Sequence, residues 1–247
     1  LRNKHYHAYF KKWLMTLPPQ AIILEVGAGC GDDLLELANA GKQQSKNFHL
    51  IASDISLESL KLTAKKFFRA LPAGEQPLYL VADGQHLPFA DNSLDAIFMV
   101  ACLHHFENPV AAVAEFARVL KADGQLIFAM EPSWWMMFST KLFAGFNRLR
   151  IHQGASAADE SHYGYFKKDF FALSKKDFTV IKIKRVWILQ GFVHYALEAC
   201  YRVFKLKKRL KLPRRIEYFI LFLDEILLKL PLINLFNWHW IVILKKK

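Results

Sequence analysis

At 247 residues the chain is long enough to bury one substantial core, which favours a single α/β domain with elaborations over two independent domains and excludes a small stapled scaffold. Cys30, Cys102 and Cys200 are too widely spaced for a Cys-x-x-Cys or Cys/His metal motif, and one is left over in any disulfide scheme, so no metal is expected and a reducing cytoplasm is the expected location. The net charge of +12 is concentrated near the end: residues 190–247 hold 12 Lys/Arg against 4 Asp/Glu, which points that segment at an anionic partner.

In chain order, Asn3 to Leu17 reads as a helix with Tyr6, Phe10, Trp13 and Leu14 on one side, ended by Pro18-Pro19. Residues 1–20 show no charged-then-apolar leader pattern, so no signal peptide is expected. Strands are expected at Ala21–Val26, His49–Ser53, Leu78–Ala82, Asp95–Val100 and Gln125–Glu131, separated by helices at Gly31–Ala40, Leu57–Leu71 and Pro109–Leu120, the last closed by Asp123-Gly124. This alternation is that of a parallel sheet covered by helices on both faces. An aromatic-rich segment from Trp134 to Phe143 and a polar loop follow. Then come a strand at Phe178–Leu189, a basic apolar insertion over 190–237, and a last strand at Trp238–Leu244.

The run Ile22-Ile23-Leu24-Glu25-Val26-Gly27-Ala28-Gly29-Cys30-Gly31-Asp32 is a buried strand entering a glycine-rich turn that opens a helix. Backbone without Cβ atoms can lie against a ligand, and the free N–H groups of the helix start face the same space. Its Gly-x-Gly-x-Gly spacing differs from the Gly-x-Gly-x-x-Gly of dinucleotide-binding proteins, and Glu25 precedes it inside the strand. A carboxylate there repels a pyrophosphate but suits the ammonium and sulfonium of S-adenosylmethionine. Asp54, ending the second strand, is placed to accept hydrogen bonds from ribose hydroxyls, and Asp83, ending the third, from an adenine amino group.

With these motifs stand Asp83-Gly84-Gln85-His86-Leu87-Pro88-Phe89, Asn92-Ser93-Leu94-Asp95, Leu103-His104-His105-Phe106 and Arg118-Val119-Leu120-Lys121-Ala122-Asp123-Gly124. Together, residues 22–131 resemble the class I, Rossmann-like S-adenosylmethionine-dependent methyltransferases, particularly the branch of quinone-biosynthesis and other small-molecule enzymes. The resemblance implies a seven-stranded, mostly parallel sheet with its last strand antiparallel. It also implies a cofactor held by Glu25, Gly27, Ala28, Gly29, Gly31, Asp54, Ile55, Asp83, Gly84, Gln85, Val100 and Ala101, and left as S-adenosylhomocysteine. One domain over 1–247 is expected: an N-terminal helix at 1–20, a cofactor-binding half at 21–131, an acceptor region and strand at 132–189, a helical insertion at 190–237 and a final strand at 238–247.

Transfer from a sulfonium needs positioning and desolvation more than a metal, and a base matters for oxygen or carbon acceptors. His104 and His105, just past the fourth strand, are the candidate catalytic pair; the resemblance favours His105, while shaping of their loop is the competing role. Trp134, Trp135, Asp159, Glu160, His162 and Tyr163 are candidates for the acceptor pocket; a solvated loop is the competing role for the last four, and core or lid packing for the tryptophans. Cys102 is taken as packing.

In the insertion, helices are expected at His194–Arg209 and Pro213–Leu230, with Lys205, Lys207, Lys208, Arg209, Lys211, Arg214 and Arg215 at their junction. The longest apolar candidate, Ile216 to Leu230, is interrupted by Glu217, Asp224, Glu225 and Lys229, so it does not supply the ~20 apolar residues of a membrane span. An apolar helix beside a cationic cluster suits peripheral docking on an anionic membrane through residues 190–230 and a small-molecule or lipid-like acceptor; a packed cap or an oligomer contact competes with it. The rival functions are an RNA methyltransferase with a basic phosphate-binding surface, although no dedicated RNA-binding motif is present, and a non-catalytic cofactor-binding partner subunit.

Overall fold

The computed structural model describes residues 2–139, 164–208 and 210–247. Seven strands form one sheet: β1 (Ile22–Val26), β2 (His49–Asp54), β3 (Leu78–Val81), β4 (Leu94–Val100), β5 (Leu120–Pro132), β6 (Phe178–Val186) and β7 (His239–Lys246), in the order β3-β2-β1-β4-β5-β7-β6. β1 pairs in parallel with β2 and β4, β2 with β3, and β4 with β5, while β7 runs antiparallel to both neighbours. The central strands are almost wholly apolar because a parallel sheet is covered on both faces; Ile23, Leu24, Ala96, Ile97, Phe98, Met99, Leu126 and Phe128 are all inaccessible to solvent. The chain order reverses between β1 and β4, so their carboxyl ends border a crevice of the kind in which open α/β sheets bind ligands.

Contacts divide the chain into two compact units. The larger holds Arg2–Ala129, Lys167–Ile183 and Val242–Lys247, and includes helices α1 (Arg2–Leu14), α2 (Asp32–Gln43), α3 (Leu57–Ala70), α4 (Pro109–Val119) and α5 (Lys167–Ser174). Two of its helices open as their sequences dictate. Ser56 accepts from the backbone N–H of Ser59 to start α3, and Asn108 accepts from Ala111 to start α4, with Pro109 in the first turn. Arg118, at the end of α4, donates to the carbonyls of Phe89 and Leu87 at 2.8 and 3.0 Å and pairs with Asp91 and Glu115 at 2.7 Å each, fixing the loop that leads into β4.

The junction of α4 and β5 differs from that expected. Asp123-Gly124 does not close α4: the helix ends at Val119 and β5 begins at once, with Leu94 opposite Leu120 but Ala96 opposite Gln125. The extra residues form a bulge in which Asp123 takes φ 63°. α5 was not foreseen; it buries Phe170, which stacks on Phe128 with ring centroids 6.4 Å apart.

The described residues of the smaller unit are 130–139, 164–166, 184–208 and 210–241, and its described helices are a short one at 134–139, α6 (Leu189–Val203) and α7 (Arg214–Leu227). The strand expected to reach Leu189 stops at Val186, because Trp187 at φ 58° turns the chain and α6 starts five residues before the expected His194. A carboxylate from the partner helix supports that early start. Asp224 of α7, read in the sequence as a charge interrupting an apolar run, is buried and accepts from the backbone N–H groups of Ile188, Leu189 and Gln190 at 3.1, 2.6 and 3.1 Å. These are the donors that a helix start leaves without intrahelical partners. Glu225, next in sequence, holds Lys184 through both oxygens at 2.8 and 2.9 Å.

Asp224→Ala would strand those amides in a buried place, so a loss of about 2–3 kcal/mol is expected in urea denaturation, with the slope against denaturant unchanged. Asp224→Asn, which keeps one accepting oxygen, is expected to recover part of it.

Candidate cofactor site

The glycine turn joins the end of β1 to α2 and is tied to β2. Ala28 N–H donates to the Ser53 carbonyl at 2.9 Å, and Gly29 N–H donates to Asp54 Oδ2 at 2.8 Å. The other oxygen of Asp54 accepts from Ser56 N–H at 2.8 Å, so this carboxylate is held from both sides while each oxygen keeps a lone pair for a ligand hydroxyl. From α3, the Thr63 hydroxyl donates to the Gly29 carbonyl at 2.9 Å.

The glycines of the turn serve different ends. A Cβ on Gly27 would lie 2.4 Å from Cys102 Sγ, so this glycine lets the segment after β4 close against β1, and Cys102 packs there as expected. At Gly31 a Cβ would meet Thr63. Gly29 has φ 54° and nothing within 4 Å of where its Cβ would stand: its bare backbone borders open space.

Beneath the turn lies Glu25, 1% exposed, with Oε2 lacking any hydrogen-bond partner. Burial pushes its carboxyl well above the usual carboxylate range. The negative charges of Asp33, Asp54 and Asp32 push the same way, against a partial offset from the Leu34 backbone N–H. A cation reaching Oε2 would relieve both the desolvation and the crowding of like charges.

The other expected residues lie around the same sheet edge. Asp83, half-buried, accepts from Gln85 N–H at 2.9 Å. Gly84 leaves room for the Phe106 ring, and Ile55 is 77% exposed, an apolar surface that a heterocyclic base would cover. Val100 ends β4, and Ala101 beyond it adopts φ 49° while donating its N–H to the Ala129 carbonyl at 2.8 Å. A non-glycine residue in the left-handed region is strained, and strain of this kind concentrates at ligand sites. His104 and His105 occupy a short 3-10 turn after β4 with ring centroids 4.0 Å apart, and His105 N–H is bonded to the Cys102 carbonyl at 2.9 Å.

One part of the arrangement was not read from the sequence. Tyr6 and His7 of α1, both buried, converge on Asp33 in the first turn of α2: the Tyr6 hydroxyl donates to Oδ1 at 2.7 Å and His7 Nε2 lies 2.6 Å from the same atom. Lys66 of α3 pairs with the neighbouring Asp32 at 2.6 Å. The only trace of this in the sequence is the paired aspartate opening α2 opposite a helix with polar residues beside its apolar stripe.

In the smaller unit, Trp134 stacks on Phe138 and Phe166 with centroids 5.0 and 5.6 Å apart, and Trp135 meets Phe236 edge-on at 4.7 Å. Asp159, Glu160, His162 and Tyr163 lie outside the described residues, as does Arg209 of the basic cluster. Among the described residues no cluster of His, Cys, Asp or Glu could hold a metal ion.

Residues 24–128 match the family model described as a methyltransferase domain. The match spans less than half of the chain, which over that stretch resembles a methyltransferase domain. It is 35% identical over 117 residues to a ubiquinone/menaquinone biosynthesis C-methyltransferase, UbiE, of Rickettsia typhi, an alignment covering 47% of each protein; the chain thus spans about half the length of the curated relatives it matches. Among solved structures it resembles the YcgJ protein of Bacillus subtilis, with a TM-score of 0.60 and 20% identity over 99% of this chain and 98% of that one. It also resembles phosphoethanolamine N-methyltransferase 2 of Haemonchus contortus in complex with S-adenosyl-L-methionine, with a TM-score of 0.62 and 14% identity over 98% of this chain and 52% of that one. At these identities the structures speak for the fold.

The donor set fits that cofactor: an orphaned buried carboxylate for a cation, a braced carboxylate at the end of β2 for hydroxyls, bare backbone at Gly29 and an apolar flank at Ile55.

Gly27→Ala is expected to cost about 2–3 kcal/mol in thermal unfolding through contact with Cys102 and backbone strain. Gly29→Ala should lose only about 1 kcal/mol of stability, yet weaken S-adenosylhomocysteine binding about tenfold or more in calorimetry.

Glu25 should leave a signature in pH. A carboxyl whose pKa is raised by folding gives its full stabilisation below the unfolded value, near 4.5, and that contribution is lost as pH rises toward the raised folded value. Glu25→Gln is therefore expected to melt higher than the parent near neutral pH, to lose that advantage below pH 4.5 and to bind the cofactor more weakly.

Proposed function

We propose that this chain transfers a methyl group from S-adenosylmethionine to a lipid-like acceptor carrying an electron-rich, hydroxylated ring, at carbon in preference to oxygen. The observation that carries the methyl-transfer reading is the unpartnered oxygen of buried Glu25 beneath open backbone at Gly29. The choice of acceptor is supported by the similarity to UbiE, which is named for C-methylation in quinone biosynthesis.

When bound, S-adenosylmethionine supplies a methyl carbon already activated by its sulfonium, so the protein's part is to orient, to desolvate and to take up a proton. Glu25 would hold the amino-acid end through its ammonium, with Asp33 adding negative potential and Tyr6 and His7 fixing Asp33 in place. Asp54 would accept from the ribose hydroxyls, its angle set by Gly29 and Ser56; Asp83 and Ile55 would meet the base.

An electron-rich ring carbon that gains a methyl group must then lose its hydrogen as a proton. His105, whose backbone N–H is bonded to the Cys102 carbonyl, would take up that proton. His104 beside it would shape the turn.

Incubation with methyl-labelled S-adenosylmethionine and separated lipid, RNA and polar-metabolite extracts tests the reading. Label is expected in the lipid fraction, at ring carbon by mass spectrometry; label in RNA, or in no fraction while the cofactor still binds, would refute the acceptor assignment. His105→Ala is expected to lower kcat about a hundredfold with cofactor affinity unchanged.

A further inference from the structure

The acidic residues of α7 turn away from solvent, while several of its large apolar ones face it. Asp224 is buried on the start of α6, Glu225 is engaged by Lys184, and Glu217 is half-buried. Solvent instead meets Ile216, Phe219, Phe222 and Ile226, at helical spacing along one side, with Phe219 60% and Phe222 62% exposed. The patch continues past the helix through Leu230 to Leu232, which is held at φ 65° and is 75% exposed, and into the 3-10 turn Ile233–Phe236. Large apolar side chains exposed together along one side of a helix mark a contact site.

Its surroundings say what kind. Residues 205–215, leading into α7, contain seven Lys or Arg and no Asp or Glu, and Lys205, Lys207, Lys208, Lys211, Arg214 and Arg215 are exposed. A second copy of this chain meeting the patch by two-fold symmetry would bring that cationic stretch toward its own image. Nucleic acid would satisfy the charge but leave Ile216, Ile226 and Leu230 facing phosphates. An anionic bilayer answers both features, with headgroups for the cations and the acyl boundary for the apolar side chains. Among the described residues no helix is long and apolar enough to cross a membrane, and α7, at 14 residues or about 21 Å, fits one lying in the plane of the surface.

We infer that α7, the turn after it and the basic residues Lys205, Lys207, Lys208, Lys211, Arg214 and Arg215 form a docking surface for an anionic lipid bilayer, with Phe219 and Phe222 entering the boundary between headgroups and acyl chains. The surface rests on its own exposure and charge and does not require the methyl-transfer reading.

The test is co-sedimentation of the full chain with vesicles of phosphatidylcholine alone and of phosphatidylcholine with phosphatidylglycerol. Binding is expected only with the anionic lipid. Lys207→Gln with Lys208→Gln should weaken it about thirtyfold, roughly fivefold for each cation removed. Phe219→Ser with Phe222→Ser should weaken it about tenfold or more while every charge remains. Because these side chains are exposed, both variants are expected to melt like the parent and to bind S-adenosylhomocysteine equally well, which separates this test from that of the cofactor site. No binding to the anionic vesicles would overturn the inference, as would binding unchanged by the phenylalanine substitutions. A stable dimer that those substitutions dissociate, without vesicle binding, would assign the face to a second copy.

Discussion

Glu25 places a carboxyl at the end of a central strand where water does not reach it, and the surroundings are arranged around that cost. Asp32 and Asp33 open the next helix, where its dipole favours negative charge, and Asp54 ends the neighbouring strand, so the region accumulates acids that oppose one another. The opposition is relieved piecemeal. Lys66 neutralises Asp32, Tyr6 and His7 bind Asp33, and backbone N–H groups take both oxygens of Asp54. One oxygen of Glu25 is left without a partner. A site electrostatically incomplete in this way is selective for a cation before any shape is considered, and it disfavours the phosphate-bearing nucleotides that similar glycine turns bind elsewhere.

Much of this was legible in the residues, for a definite reason. Strands buried on both faces must be continuous apolar runs, so β1, β2 and β4 stand out, and a ligand site at their ends must show itself as glycine and acid just beyond them. What escaped the sequence depends on partners distant along the chain. Asp123-Gly124 has the form of a helix stop but is a bulge, because Leu120 is already paired with Leu94. α5 is one short segment that buries Phe170 against Phe128, a ring far away in sequence. The Tyr6–His7–Asp33 cluster joins groups 26 or 27 residues apart, and nothing local to either end signals the other.

Asp224 shows the same limit most sharply. As sequence it is an acid in an apolar stretch, an argument against spanning a membrane. As structure it is the cap of another helix, while Ile216, Phe219, Phe222 and Ile226 of the same helix face solvent. Helical periodicity identifies an apolar face but cannot say whether the protein or the solvent receives it; here a carboxylate with three amides to satisfy turns inward beside Leu221.

That cap also ties two helices into one melting unit. The amides of Ile188, Leu189 and Gln190 are shielded by a carboxylate belonging to a different helix, so their exchange with deuterium would have to await the detachment of α7, however well α6 itself persists. Three adjacent protons on one segment therefore act as a clock for the departure of another.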